Sequence, residues 1–308
     1  MARRADSSNT MMETLFGYLG EPRDFSVGDV SVSTLPDLDA TRKDIEEHPQ
    51  VEKQWLYGPR KGSRNLSGQE RVLPYSARVF GLPATHSLTH AQATDQEQLN
   101  FMVWVFGFIT GMRLTNTEAG FLDATPIKVG TLHDIIWCLE GEERAMGLAD
   151  TFWKKHGPRI SKGMSGVIHA LFLSHTPHLL EFEKLLYVYT AIDGCSAVLH
   201  AKQGKKPTGT PHGKRLQGLC ASLKTCTPPW VTEVVDTRND AIHEGLFFGE
   251  PLGFSVFGGN EQGSRSRGNI ILEMQCLVAR FVCALLDLPC HAYIESPVDT
   301  RQRYGASI

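Results

Sequence analysis

The chain has 308 residues, 41% apolar and 21% charged, the balance of a soluble globular protein long enough to bury a sizeable core. Its net charge of -3 excludes the global basic footprint of a tight nonspecific nucleic-acid binder, so any contact with RNA has to be local. Seven cysteines, an odd count without a C-x-x-C pair, argue against a disulfide framework or a zinc ribbon. Cys276, Cys283 and Cys290 recur at heptad spacing and read as small core residues in a reducing cytosol.

Residues 1–10 are polar, include Arg3 and Arg4 and have no apolar run; they are expected to be disordered and to carry no secretory signal. Asp24 to Thr34 alternates around Gly28-Asp29, a hairpin signal. Gln54 to Tyr57 and Arg78 to Gly81 read as short strands, and the Gly-, Ser- and charge-rich stretch Gly58 to Arg71 as a loop. Leu99 to Leu114 is apolar on all sides, a buried helix or a buried strand; periodicity does not decide between them. Its core, Phe101 to Met112, is too short to span a bilayer. Residues 11–160 are therefore expected to form a mixed α/β region of open role: sensor, partner-binding or RNA-binding.

From Thr131 the pattern turns helical. Leu132, Ile135, Ile136 and Leu139 follow the 3.6-residue period, Ala145 to His156 reads as a helix stopped at Gly157-Pro158, and Met164 to Ser174 as another. Leu179, Phe182, Leu185, Leu186, Tyr189, Ile192 and Val198 mark a helix of roughly 20 residues. A Gly/Pro-rich loop with Lys202, Lys205, Lys206, Lys214 and Arg215 follows, then a short helix Leu216 to Leu223. After the helix described next and a Gly-rich loop, Gly249 to Gly268, a clean stripe of Ile270, Ile271, Met274, Leu277, Val278, Phe281, Leu285 and Leu286 marks the last helix. Residues 291–308 read as a tail. The fold class is α+β: a mixed N-terminal region, then a mainly helical bundle over residues 161–290.

The run from Val235 to Gly245 carries the chemistry. Thr227 as N-cap, Pro228 in the first turn and Gly245 as the C′ residue bracket a helix from Pro228 to Glu244. Trp230, Val231, Val234, Val235, Ala241 and Ile242 form its apolar stripe, whereas Thr232, Asp236, Asn239 and His243 form a polar face. Arg238 stands seven residues after Val231, so a charge occupies an apolar position and needs a partner or a wet cavity. His243 falls in the last turn, where the helix dipole favours a cation. Five positions separate Arg238 from His243, about 140° around the helix and about 7.5 Å along it. One helix therefore does not make them a tight pair unless the long arginine swings across, and a second copy of the helix offers another route. Asp193 continues the stripe of Phe182, Leu186 and Tyr189 and is the expected partner of Arg238, since two misplaced charges of opposite sign relieve each other's desolvation.

The Arg238-Asn239…His243 spacing, R-N-x-x-x-H, set between two long amphipathic helices, resembles the HEPN superfamily over about residues 163–290, a little under half of the chain. The resemblance implies a helical domain whose Arg and His line a cleft between two copies and promote attack of an RNA 2′-OH on the adjacent phosphate. Arg238 would stabilise phosphate charge, His243 would move a proton, and Asn239 would orient His243 or contact RNA. It further implies a metal-independent, cofactor-free cytoplasmic endoribonuclease, a homodimer of the toxin or anti-phage effector kind, with RNA as substrate and an antitoxin or effector complex as a further partner. The alternative is a catalytically silent dimerisation or adaptor module, or a subunit of a larger nucleoprotein complex. The N-terminal half departs from any nuclease pattern. His169, His175, His178 and His200 are close in sequence, but Pro177 breaks the helix that an H-x-x-H metal site needs, so no metal is expected. No G-x-S-x-G elbow, Walker A loop or dinucleotide fingerprint is present. The basic residues Lys202, Lys205, Lys206, Lys214 and Arg215 are the candidate RNA grip.

Overall fold

The computed structural model describes residues 11–58, 62–64, 70–72, 79–93, 95–116, 121–122, 124–206, 211–253, 261–298 and 304–306; the expectation for residues 1–10 lies outside them. The fold is α+β. Two compact units are present, residues up to 107 with 112–129, and 108–111 with 130 onward. The boundary thus falls at 129/130, whereas the sequence pattern put it near 160, a position now inside a helix.

The first unit holds β1 (Met12–Gly17), β2 (Phe25–Val27), β3 (Val30–Thr34), α1 (Leu38–Glu46), β4 (Val51–Glu52), β5 (Trp55–Tyr57), β6 (Gly62–Arg64), β7 (Glu70–Val72), β8 (Val79–Phe80), β9 (His86–His90), most of α2 (Gln96–Thr110), β10 (Thr115–Asn116), β11 (Phe121–Leu122) and β12 (Ala124–Pro126). Its main sheet is antiparallel in the order β10-β1-β9-β3-β2. β2 and β3 are the expected hairpin, with Val27 opposite Val30 across Gly28-Asp29. The stretch expected to be a loop instead contributes an antiparallel pair, β6 with β7, the latter ending one residue beyond it at Val72. The all-apolar segment is a helix: Leu99, Met102, Val103, Val105 and Phe106 are buried in every direction, and its length exceeds what a small sheet uses in a strand. Phe106 meets Phe16 and Phe25 edge-on, each at 5.8 Å.

His86 is fully buried, stacked on Phe16 at 5.6 Å with Nδ1 3.0 Å from Thr85 Oγ1. Burial pushes its imidazole down to about 4, with Asp24 opposing the shift. The unfolded chain binds this proton at about 6.5, so the folded state resists protonation between those values. The stability it confers is complete above pH 6.5 and is lost as pH falls toward 4. Urea unfolding at pH 7 and pH 4.5 should differ by up to about 3 kcal/mol from this group, and a His86→Asn variant should flatten that part of the profile.

The second unit holds β13 (Ile135–Trp137), α3 (Leu139–Ser174), α4 (Glu181–Lys202), α5 (His212–Leu223), α6 (Val231–His243), β14 (Leu246–Phe247), β15 (Glu250–Pro251), α7 (Glu261–Leu285), α8 (His291–Ile294) and β16 (Tyr304–Ala306). α3 is interrupted at Gly157, whose φ of 74° only glycine adopts cheaply, just before Pro158; the helix stop expected there is a break between two helical segments. α4 packs along α3 and against α7. It runs straight through Gly194, where an added Cβ would come within 2.8 Å of Val167 Cγ2; the glycine lets the two helices approach rather than ending either.

Residues 131–138 are not helical, contrary to the period read from Leu132 to Leu139. Ile135 and Trp137 are buried and Ile136 is 52% exposed, the two-residue alternation of a strand. β13 pairs in parallel with β16, so the supposed C-terminal tail belongs to this unit. An arginine secures it. Arg280, on α7, is fully buried. Its Nη1 lies 3.3 Å from Asp134 Oδ2 and donates to Cys276 O at 2.9 Å, while Nη2 donates to Ser296 Oγ at 2.9 Å and Pro297 O at 3.1 Å. The Tyr293 hydroxyl donates to Asp134 Oδ1 at 2.6 Å, and the guanidinium lies over the rings of Tyr293 (4.4 Å) and Tyr304 (5.4 Å). Cys276, Cys283 and Cys290 are buried, as the core reading requires.

Candidate functional site

The motif helix is shorter at its start than the sequence suggested. α6 begins at Val231, after Trp230, because Pro229 disfavours helical backbone at Pro228. The indole N–H of Trp230 donates to Glu273 on α7 and anchors that end. The other end is as expected: Gly245, at φ 71°, takes the left-handed turn after His243 and Glu244. Val231, Val234, Thr237 and Ala241 are buried. Ile242, assigned to the apolar stripe, is 48% exposed.

Arg238 is half-buried. Its Nη1 donates to Asn239 Oδ1 at 3.1 Å, and its guanidinium carbon lies 5.6 Å from the ring centre of Tyr189, a buried residue of α4. No carboxylate pairs with it among the described residues. The expected Asp193–Arg238 ion pair is thus corrected: Asp193 Oδ1 accepts from Arg215 Nη1 at 2.8 Å and lies 3.8 Å from His212 Nδ1. The reason is local. Pro211, at φ -53°, starts α5 at His212, four residues earlier than the apolar pattern indicated. Lys214 and Arg215 are therefore helical, and α5 delivers Arg215 and His212 to Asp193 first. His212 also packs on Tyr189, with ring centres 5.7 Å apart. Tyr189, Asp193, His212, Arg215 and Arg238 thus form one cluster, of which the sequence reading found three. The i,i+4 spacing of Tyr189 and Asp193 was the available signal for Tyr189; His212 had none.

Two members of the cluster titrate away from their ordinary ranges. Burial, with Asp193 adding to it, pushes the Tyr189 phenol up to about 12 against the opposing charges of Arg238 and Arg215; it stays a neutral packing surface. Burial lowers the His212 imidazole below its ordinary range, Asp193 opposing and the two arginines assisting. His243 stands exposed in the last turn of α6 with no hydrogen bond or ion pair among the described residues. The structure does not bring Arg238 and His243 of one chain into contact.

The five basic residues separate. Lys202 is structural rather than available to RNA: Nζ donates to the Leu285 carbonyl that ends α7, lies 3.2 Å from Asp287 and sits 5.3 Å from the Phe152 ring centre. A helix end presents unpaired carbonyls and a partial negative charge, and a lysine answers both. Lys205, Lys206 and Lys214 are exposed. Lys205, Lys214 and Arg215 line a cavity of about 220 Å³ between α4 and α5. His175 and His178 stand in the turn between α3 and α4, on either side of Pro177.

No family model, characterised protein or solved structure matches the chain. No helix among the described residues is long and apolar enough to cross a membrane.

Proposed function

We propose that the chain is a metal-independent endoribonuclease of HEPN type acting as a homodimer, in the manner of a toxin or anti-phage effector held in check by a partner. The observation that carries the reading is Arg238: a half-buried guanidinium without a carboxylate among the described residues, steadied by Asn239 and the face of Tyr189, is prepared for an anionic ligand. In cleavage, the RNA 2′-oxygen attacks the adjacent phosphorus and its proton leaves to a base. The bond from phosphorus to the 5′-oxygen breaks, and that oxygen receives a proton. The products are a 2′,3′-cyclic phosphate and a 5′-hydroxyl. Arg238 stabilises the charge that grows on the phosphoryl oxygens, and His243 handles a proton.

Two proton transfers ask for two groups, and a facing copy supplies the second imidazole together with the Arg–His closeness that one helix lacks. The exposed Ile242 beside His243 suits a face covered by such a copy. The silent adaptor reading draws instead on the Arg238–Tyr189 packing as an end in itself. Incubation of the purified chain with mixed RNA in EDTA, with the ends mapped, separates the two: cyclic phosphate ends are expected. Loss of cleavage in EDTA, or 3′-hydroxyl ends, excludes this mechanism, and an active monomer by light scattering excludes the composite site.

A further inference from the structure

We infer that the cavity between α4 and α5 is a binding site for the phosphate group of a nucleotide. Binding there is independent of cleavage, and the site stands whether or not the chain is a nuclease. The cavity, about 220 Å³, is lined by basic, polar and apolar side chains of α4, α5 and the turn that follows α4. Drug-sized ligands occupy about 300–1,000 Å³, so this space suits a phosphate with part of the body it is attached to.

The charge balance is positive. The lining contains three cationic side chains and no carboxylate. Asp193 offsets part of the charge of Arg215 but also fixes its position, at 2.8 Å. Lys205 and Lys214 have no ion-pair partner among the described residues. The C-terminal end of α4 lies at the same place and would repel an anion, yet its carbonyls are already occupied. His200 O accepts from Lys205 N at 2.9 Å, Leu199 O from Gln203 N at 3.1 Å and Ala201 O from Gly204 N at 3.1 Å. A partial charge of about half a unit does not outweigh two uncompensated lysines.

The rest of the lining argues for more than a bare anion. Leu199 and Leu219 give an apolar surface, while Ser196, Ser222 and Gln203 offer hydroxyl and amide groups, the mixture that a sugar and base edge require. His200 Nδ1 donates to Ser196 O at 2.7 Å, which sets the ring and leaves Nε2 without a partner among the described residues. At Gly218 an added Cβ would meet nothing within 4 Å, so the side chains leave room there.

The test uses the full chain and three probes: inorganic phosphate, AMP, and a dye-labelled 2′-O-methyl hexaribonucleotide that lacks the attacking hydroxyl. Titration calorimetry follows the first two and fluorescence anisotropy the third. AMP or the hexamer should bind saturably and more tightly than inorganic phosphate. Lys205→Glu and Lys214→Glu should each weaken binding about ten- to a hundredfold and lower the salt slope by about 1. Lys155→Glu, an exposed lysine of α3 outside the cavity, is the control and should bind as the parent does. A hexamer that binds more tightly than AMP identifies a strand as the source of the phosphate; equal affinity identifies a free nucleotide. Unchanged binding in both cavity variants, no saturable binding of any probe, or neither AMP nor the hexamer binding more tightly than inorganic phosphate overturns the assignment. Because the hexamer is not cleavable, binding with no cleavage of ordinary RNA sinks the nuclease reading and leaves this site standing.

Discussion

If the chain cleaves RNA as proposed, alanine at His243 is expected to lower the rate about 10²–10⁴-fold and to leave the free energy of unfolding within about 0.5 kcal/mol of the parent. The two halves of this expectation rest on different observations. His243 is exposed at the end of α6 and makes no bond within the described residues, so its removal costs the fold little beyond a weak interaction with the helix dipole. In the proposed mechanism His243 is the one imidazole on the motif helix, and carboxylates ordinarily titrate in a lower range. Arg238 behaves differently. Arg238→Ala removes both the bond to Asn239 and the packing on Tyr189, so on the proposed mechanism it is expected to lose activity and some stability together, whereas Arg238→Lys keeps the charge but not the planar fork suited to a phosphate. Cleavage rates with end mapping, read beside urea unfolding curves, separate these cases. A folded His243→Ala protein with full activity removes His243 from the mechanism.

Asp134→Ala destabilises the second unit by about 3–5 kcal/mol. Arg280 is fully buried, and Asp134 is the one carboxylate within ion-pair distance of it among the described residues. Taking the carboxylate away leaves a guanidinium in the interior with only neutral acceptors, and it also strands the Tyr293 hydroxyl, which donates to the same group. The damage extends to the C-terminal segment, because Arg280 holds Ser296 and Pro297 and lies over Tyr293 and Tyr304. Asp134→Asn keeps an acceptor in place and should cost less. Urea denaturation followed by tryptophan fluorescence measures both; a midpoint for Asp134→Ala equal to that of the parent would show that water, not the carboxylate, satisfies Arg280.

The sequence by itself determined what depends on near neighbours. The hairpin at Gly28-Asp29, the break at Gly157-Pro158, the course of α4 and the stop of α6 at Gly245 each follow from a few adjacent residues whose backbone preferences or periodicity act locally. So does the anomaly of Arg238 and Asp193, two charges on apolar stripes. Their partners were not legible. Asp193 meets Arg215 across an intervening loop, because α5 starts earlier than its apolar residues indicate and reaches the carboxylate first. Lys202 meets the end of α7, Ile135 to Trp137 becomes a strand only because Tyr304 to Ala306 lies beside it, and Arg280 joins residue 134 to residues beyond 290. Each of these is a choice among several chemically equivalent partners, made by which helix docks where. That docking follows from packing the whole apolar surface at once, and no window of neighbouring residues contains it.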